Sequence, residues 1–345
     1  MLVQLREAPL KFSTYPYTTA RIMVMKSELL ERDDYIRMRS MGIHEIIRFL
    51  EEHQYKKEII RLSKYFRGME LINLALNVNL AGTVNKLLKI SIDEEVRQVV
   101  QMYANKWVVN NLKIVVRVKM NGLGKEHIRY GIISVEPTTY SVCRALHKAE
   151  PEAMAWEIKK MTGVEADALL GWYQAGDLAS IENALDMAYY RKLLDASKAM
   201  PVPMLRDFMR NLVELTNIRN VVKLKTAGVD KRTAEQFLVA EKKDVVARLL
   251  EAEDIVKMGE VLKASRYASL AENIESNPAN LENNIEKFLL QYAFKLLHVK
   301  PTSVAPIFGY LLAKEIEIRN LRLVINAKVS GLENEFIERN LIVAA

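Results

Sequence analysis

Chemistry in this 345-residue chain would have to come from its five histidines, its single cysteine or a glycine-containing turn. His44 opens the segment HEIIR (44–48), which begins like the helix on which zinc proteases set two histidines four residues apart. Arg48 stands at the second place, so no metal pair forms, and the segment reads as a turn of a surface helix. His53, His127, His147 and His298 complete the set and build no catalytic constellation. The stretch NGLGKE (121–126) resembles a phosphate-binding loop, but that loop needs a glycine where Lys119 stands and a Ser or Thr where Glu126 stands. Cys143 permits no internal disulfide, fits a reducing compartment, and reads as a small buried apolar residue rather than a nucleophile. No catalytic residue, metal ligand or cofactor site is expected.

The elements that would position any site are helical. Leu, Ala, Lys, Glu and Met dominate, and only 9 prolines and 13 glycines interrupt them. Half of the residues are hydrophobic and 27% are charged, the balance of a folded, water-facing protein. The N-terminal residues lack the basic start, apolar run and small-residue cleavage site of a secretory leader. In the first third the longest uncharged stretch, LINLALNVNLAGTVN (71–85), is too short and too rich in asparagine to span a bilayer, so any membrane connection is expected to be peripheral. The net charge of +7 is unevenly placed: residues 1–130 hold 22 Lys and Arg against 14 Asp and Glu, and the remainder is nearly neutral. Such an excess suits an acidic partner or a solvated basic face. No aromatic interleaving or nucleic-acid motif accompanies it, which argues against nucleic acid as that partner.

One phrase occurs three times: NNLKIVVRVKMNG (110–122), TNIRNVVKLKTAG (216–228) and RNLRLVINAKVSG (319–331). The ungapped consensus is N-[LI]-[KR]-x-V-[VI]-x-x-K-x-x-G. It aligns Asn111, Asn217 and Asn320, then the bases Lys113, Arg219 and Arg322, then Lys119, Lys225 and Lys328, and finally Gly122, Gly228 and Gly331. These asparagines, bases and lysines are the candidate interaction or repeat positions. The register extends outward, since Tyr189 and Tyr292 each lie 28 residues before their Asn, and Pro203 and Pro306 are also equivalent. A fixed period of this length marks internal structural repeats.

As a helix, the phrase places its positions one, four and five after the Asn on one apolar stripe. The glycine suits the left-handed residue that closes a helix, and the lysine suits the last turn, where the helix dipole favours a cation. Capping its own helix end is therefore the simplest role for that lysine. Ser91 and Glu94 form a capping-box pair that predicts a helix start. Two intervening segments, 41–62 and 254–274, share the pattern L-x-x-x-x-Y (Leu50 to Tyr55, Leu262 to Tyr267) and read as small helical clusters between long hairpins.

The opening YPYTTARIMVMKSELLERDDYIRM (15–38), with its Tyr-x-Tyr-x-x-x-Arg order, resembles the first helix of the C subunit of A-type (archaeal) ATP synthases, the AC39 family that includes the d subunit of V-type ATPases. IENALDMAYYRKLL and the three phrases, above all EIEIRNLRLVINAKVSG, are similar to that family's repeated hairpins. Two departures, Val108 where Glu214 and Glu317 stand and Asn326 where Arg117 and Lys223 stand, weaken strict equivalence of the repeats.

The resemblance implies an all-α, funnel-shaped protein of three pseudo-three-fold-related helical repeats, with boundaries at 1–130, 131–232 and 233–345. It further implies a non-catalytic central-stalk protein without cofactors. Such a protein sits peripherally on the cytoplasmic face of the membrane, between the proteolipid rotor ring and the D and F subunits of the central shaft. Lys119, Lys225 and Lys328 would then lie at equivalent places around the axis, near one rim. The alternative reading is a helical-repeat scaffold that binds another protein through a concave face.

Overall fold

The computed structural model describes residues 15–91, 94–136, 138–198, 203–239, 244–298 and 303–343. Among them every regular element is a helix. Four short helices lead in: α1 (Tyr15–Lys26), α2 (Arg32–Met38), α3 (Ile43–Glu51) and α4 (Lys56–Leu62). Two long ones follow, α5 (Gly68–Ile90) and α6 (Glu94–Met120). Then come α7 (Glu126–Gly131), α8 (Thr139–Lys148), α9 (Pro151–Thr162) and α10 (Ala166–Gln174), and a second long pair, α11 (Leu178–Lys198) and α12 (Pro203–Thr226). After the short α13 (Lys231–Glu235), α14 (Asp244–Glu251) and α15 (Ile255–Lys263), the third long pair is α16 (Asn280–His298) and α17 (Ala305–Val329), and α18 (Asn334–Asn340) ends the series.

Each long pair packs on itself, and each second member also packs on the first member of another pair: α6 on α11, α12 on α16 and α17 on α5. The last contact joins the final hairpin to the first. One aromatic ring from each of α6, α12 and α17 meets at a common point, with Tyr103 5.6 Å from Phe308 and 6.2 Å from Phe208, and the two phenylalanines 6.4 Å apart. Such ring pairs add about 0.5–1.5 kcal/mol each beyond the area they bury.

The expected apolar stripe lies in the core: Leu112, Val115 and Val116, then Ile218, Val221 and Val222, then Leu321, Val324 and Ile325 are all buried. The three glycines end their helices as the pattern predicts, with φ of +64°, +79° and +67° at Gly122, Gly228 and Gly331. Beyond each, the amide of Leu123, Val229 or Leu332 donates to the carbonyl five residues back, at 2.9 Å in every case. That is the Schellman closure, and only glycine enters it without a steric penalty. The helix start expected near Ser91 is met by α6 at Glu94, and the Ser91 hydroxyl also donates to the Leu87 carbonyl at 2.7 Å at the end of α5.

Candidate functional site: the repeated helix ends

The carboxamide of the repeated asparagine is buried in all three copies and does one job. Asn111 donates to the Ile133 carbonyl at 2.9 Å and accepts from the Ile133 amide at 3.0 Å. Asn217 does the same to Val239 at 3.0 and 2.8 Å, and Asn320 to Ile342 at 2.6 and 3.1 Å. Each pins a backbone unit 22 residues on. A primary amide is the side-chain group that donates and accepts side by side, as a peptide group requires.

The base two residues after each asparagine reaches across to a long helix of another pair. Lys113 pairs with Asp186 on α11 at 2.8 Å, Arg219 with Glu282 on α16 at 2.9 Å, and Arg322 donates to the Asn77 carboxamide on α5. The lysine eight residues after the asparagine also leaves its own helix. Lys119 donates to the His147 carbonyl at 3.0 Å, Lys225 to Leu250 at 2.7 Å, and Lys328 to Arg39. These carbonyls lie at the C-terminal ends of α8, α14 and α2, where a cation is stabilised by the helix dipole. Capping is thus the role, but the helix capped is a neighbour.

Two further positions emerge three and six residues before the asparagine, and in the second and third copies they carry deeply buried charges. On α17, Lys314 and Glu317 pair at 2.8 Å with side chains 0% and 3% exposed. Glu317 also accepts from the Tyr55 hydroxyl at 2.5 Å, the Gln54 amide at 2.9 Å and the Leu30 backbone amide at 2.6 Å. Burial and the Glu317 charge hold the Tyr55 hydroxyl well above the ordinary phenol range, so it donates. On α12 the counterparts are Asn211 and Glu214. The Tyr267 hydroxyl donates to Asn211 at 3.3 Å, and Arg266 bridges Tyr267 and Glu214. On α6 the counterparts are Asn105 and Val108.

A half-buried pair, Lys106 with Glu315, joins α6 to α17. Burial pushes the Glu315 carboxyl up and the Lys106 ammonium down, each partly offset by the other. Burial also lifts the Cys143 thiol to about 11, which suits the structural role expected of it. Among the described residues no group of three or more His, Cys, Asp and Glu is placed to hold a metal, and no helix is long and apolar enough to cross a membrane.

All nine candidate positions are therefore engaged within the chain. The L-x-x-x-x-Y pattern held the missing clue to the acid–tyrosine contacts, since Tyr55 and Tyr267 are the residues that cover Glu317 and Glu214.

Residues 18–340 match the family model described as ATP synthase (C/AC39) subunit. The chain belongs to that family and is a subunit of an ATP synthase, with its partners in the same complex. It is 30% identical to the A-type ATP synthase C subunit of Methanococcoides burtonii over 96% of this chain and 95% of that one. Against the C subunits of Methanosarcina barkeri and Haloferax volcanii it is 31% and 29% identical, covering 96% and 95% of this chain and 93% and 97% of theirs.

Proposed function

We propose that the protein is a non-catalytic central-stalk subunit of an A-type rotary ATP synthase. It is set on the cytoplasmic face of the membrane and held there peripherally, between the proteolipid ring and the D and F subunits of the shaft. It carries torque between ion flow and ATP synthesis or hydrolysis. Family membership across residues 18–340 is the observation that carries this reading.

The contacts support it in physical terms. Torque transfer needs a body that does not shear, and here the hairpins are locked to one another by ion pairs and a shared aromatic cluster, while buried amides pin each hairpin to the segment that follows it. We read them as three lobes around a pseudo-three-fold axis, a funnel whose lobes near 1–130, 131–232 and 233–345 interlock. Asn111 and Asn217 reach past the ends of the first two lobes, and Lys328 of the third reaches α2 at the start of the chain. The three repeat lysines then lie near one rim.

The basic excess of the first third supports contact with an acidic partner surface. Lys56, Lys57, Arg61 and Lys64 are exposed around α4, beside Ile60 and Tyr65, which are 50% and 78% exposed.

Membranes from cells lacking the chain provide the test. The expected outcome is ATP hydrolysis by the soluble head with ATP-driven ion pumping abolished, and pumping restored when the chain is added back. Undiminished pumping without the chain would overturn the proposal.

A further inference from the structure

At one of the places where the three copies differ, a cavity stands. In the second and third, the residues six and three before the repeat asparagine lie under a tyrosine ring: Asn211 and Glu214 beside Tyr267, and Lys314 and Glu317 beside Tyr55. All four are buried. In the first copy the equivalents lack such a cover, with Asn105 exposed and Val108 half-buried. Asn105, Val108, Leu112, Ile133, Cys143 and Met161 line a cavity of about 280 Å³. Met161 stands as far after Asn111 as Tyr267 stands after Asn217, and it is 41% exposed.

We infer that this cavity is a binding site for a phenol-type aromatic ring supplied from outside the chain, taking the place that Tyr267 and Tyr55 fill internally. The aliphatic and sulfur-bearing part of its lining suits a ring face, and Gln101, Glu136, Thr138 and Thr139 add polar groups. The Asn105 carboxamide stands where Asn211 and Lys314 meet the tyrosine hydroxyls, so it marks the hydroxyl end. The volume exceeds that of one ring, leaving room for the chain or substituent that carries it. The inference rests on the equivalence of the three lobes proposed above. The ring has two possible sources, a free phenol or a tyrosine of a neighbouring subunit.

The probe is p-cresol, the tyrosine side chain as a free molecule. Methionine-methyl NMR of the isolated chain is expected to show the Met161 signal shifting with p-cresol and not shifting in Val108→Phe, which fills the cavity. Toluene is expected to bind roughly three- to tenfold more weakly, a preference lost in Asn105→Leu, because one hydrogen bond separates the two probes. Tyr267→Ala tests lobe equivalence separately, since p-cresol should restore part of its lost thermal stability. An unmoved Met161 signal alongside rescue of Tyr267→Ala overturns the inference and leaves the lobes standing; failure of both overturns both. Peroxide oxidation of Met161 in the intact ATP synthase assigns the source. Protection relative to the isolated chain identifies a neighbouring subunit's tyrosine, and unchanged oxidation that p-cresol still slows identifies a free phenol.

Discussion

Replacing the repeat asparagine should cost nearly the same in each copy, and the amount follows from what is left behind. Asn217→Ala removes two hydrogen bonds and strands both the amide and the carbonyl of Val239, which is 1% exposed. An orphaned buried polar group costs about 1–3 kcal/mol, so the pair sums to roughly 3–4 kcal/mol once some relaxation toward water is allowed. Near the midpoint, unfolding entropy scales at about 2 cal/mol/K per residue, so in a chain of this length the loss lowers Tm by roughly 4–6 °C if unfolding is cooperative. Calorimetry on Asn111→Ala, Asn217→Ala and Asn320→Ala measures the totals, and amide hydrogen exchange locates them. The Ile133, Val239 and Ile342 amides should each lose protection in their own variant and keep it in the other two. Asn217→Asp serves as the matched control. It can still accept from the Val239 amide but turns a carboxylate oxygen toward the Val239 carbonyl, so it should be no more stable than the alanine variant. A loss below about 1 kcal/mol with Val239 exchange unchanged would refute the reasoning, because it would mean that water already serves these groups.

The remaining expectations concern charge and backbone. Lys106→Met leaves Glu315 semi-buried without its cation; with both side chains 22% exposed the cost should fall at the low end for a broken buried pair, about 2–3 kcal/mol, and the double variant Lys106→Met with Glu315→Leu should recover most of it in a double-mutant cycle. The folded-state pKa of Glu315 is already raised above 4.5, and losing Lys106 raises it further. Denaturant titrations should therefore show the single variant's deficit smallest below pH 4.5 and growing as pH rises through the folded-state pKa. Gly228→Ala, at φ +79°, should cost about 1–2 kcal/mol by denaturant melt, and Gly82→Ala, which meets open space inside α5, should be neutral or stabilising. Reversing Lys56, Lys57 and Lys64 to Glu should leave Tm within about 2 °C, since these are exposed positions, while weakening recovery of the chain with the ATP synthase complex in a pull-down.

The hairpins, their apolar stripes and their glycine stops were legible because each depends on residues within a few turns of one helix. The asparagine's partner was nearly legible: Ile133, Val239 and Ile342 are all β-branched aliphatics at the same distance from their asparagines, a signal visible in the sequence itself. The lysines misled because a cation in a last turn is equally good for its own dipole and for a neighbour's, and only the fold brings Arg39 beside Lys328, 289 residues away. Ser91 marked the helix start, but its bond back to Leu87 was not legible, since a serine between two helices can also close the preceding one. Tertiary contacts between distant copies leave no local periodicity to read.

What the three copies share is spent on holding the chain together, so partner recognition has to be sought where they differ. Asn111, Asn217 and Asn320 are buried against backbone, and the repeated bases and lysines are committed to carboxylates, a carboxamide or carbonyls of the same chain. Thr83 shows that even a departure can be absorbed internally. It stands on α5 where tyrosine stands on α11 and α16, and the phenol it meets is Tyr310, contributed by the opposite helix α17. Val108 is a departure of another kind. The acid and the tyrosine that cover each other in two copies are both missing from the first, and no other described residue fills the space. Under the proposed function, a chain that binds unlike neighbours needs repeats that are alike enough to pack and unlike enough to be told apart. Of these departures, Val108 is the one that leaves an opening in the surface.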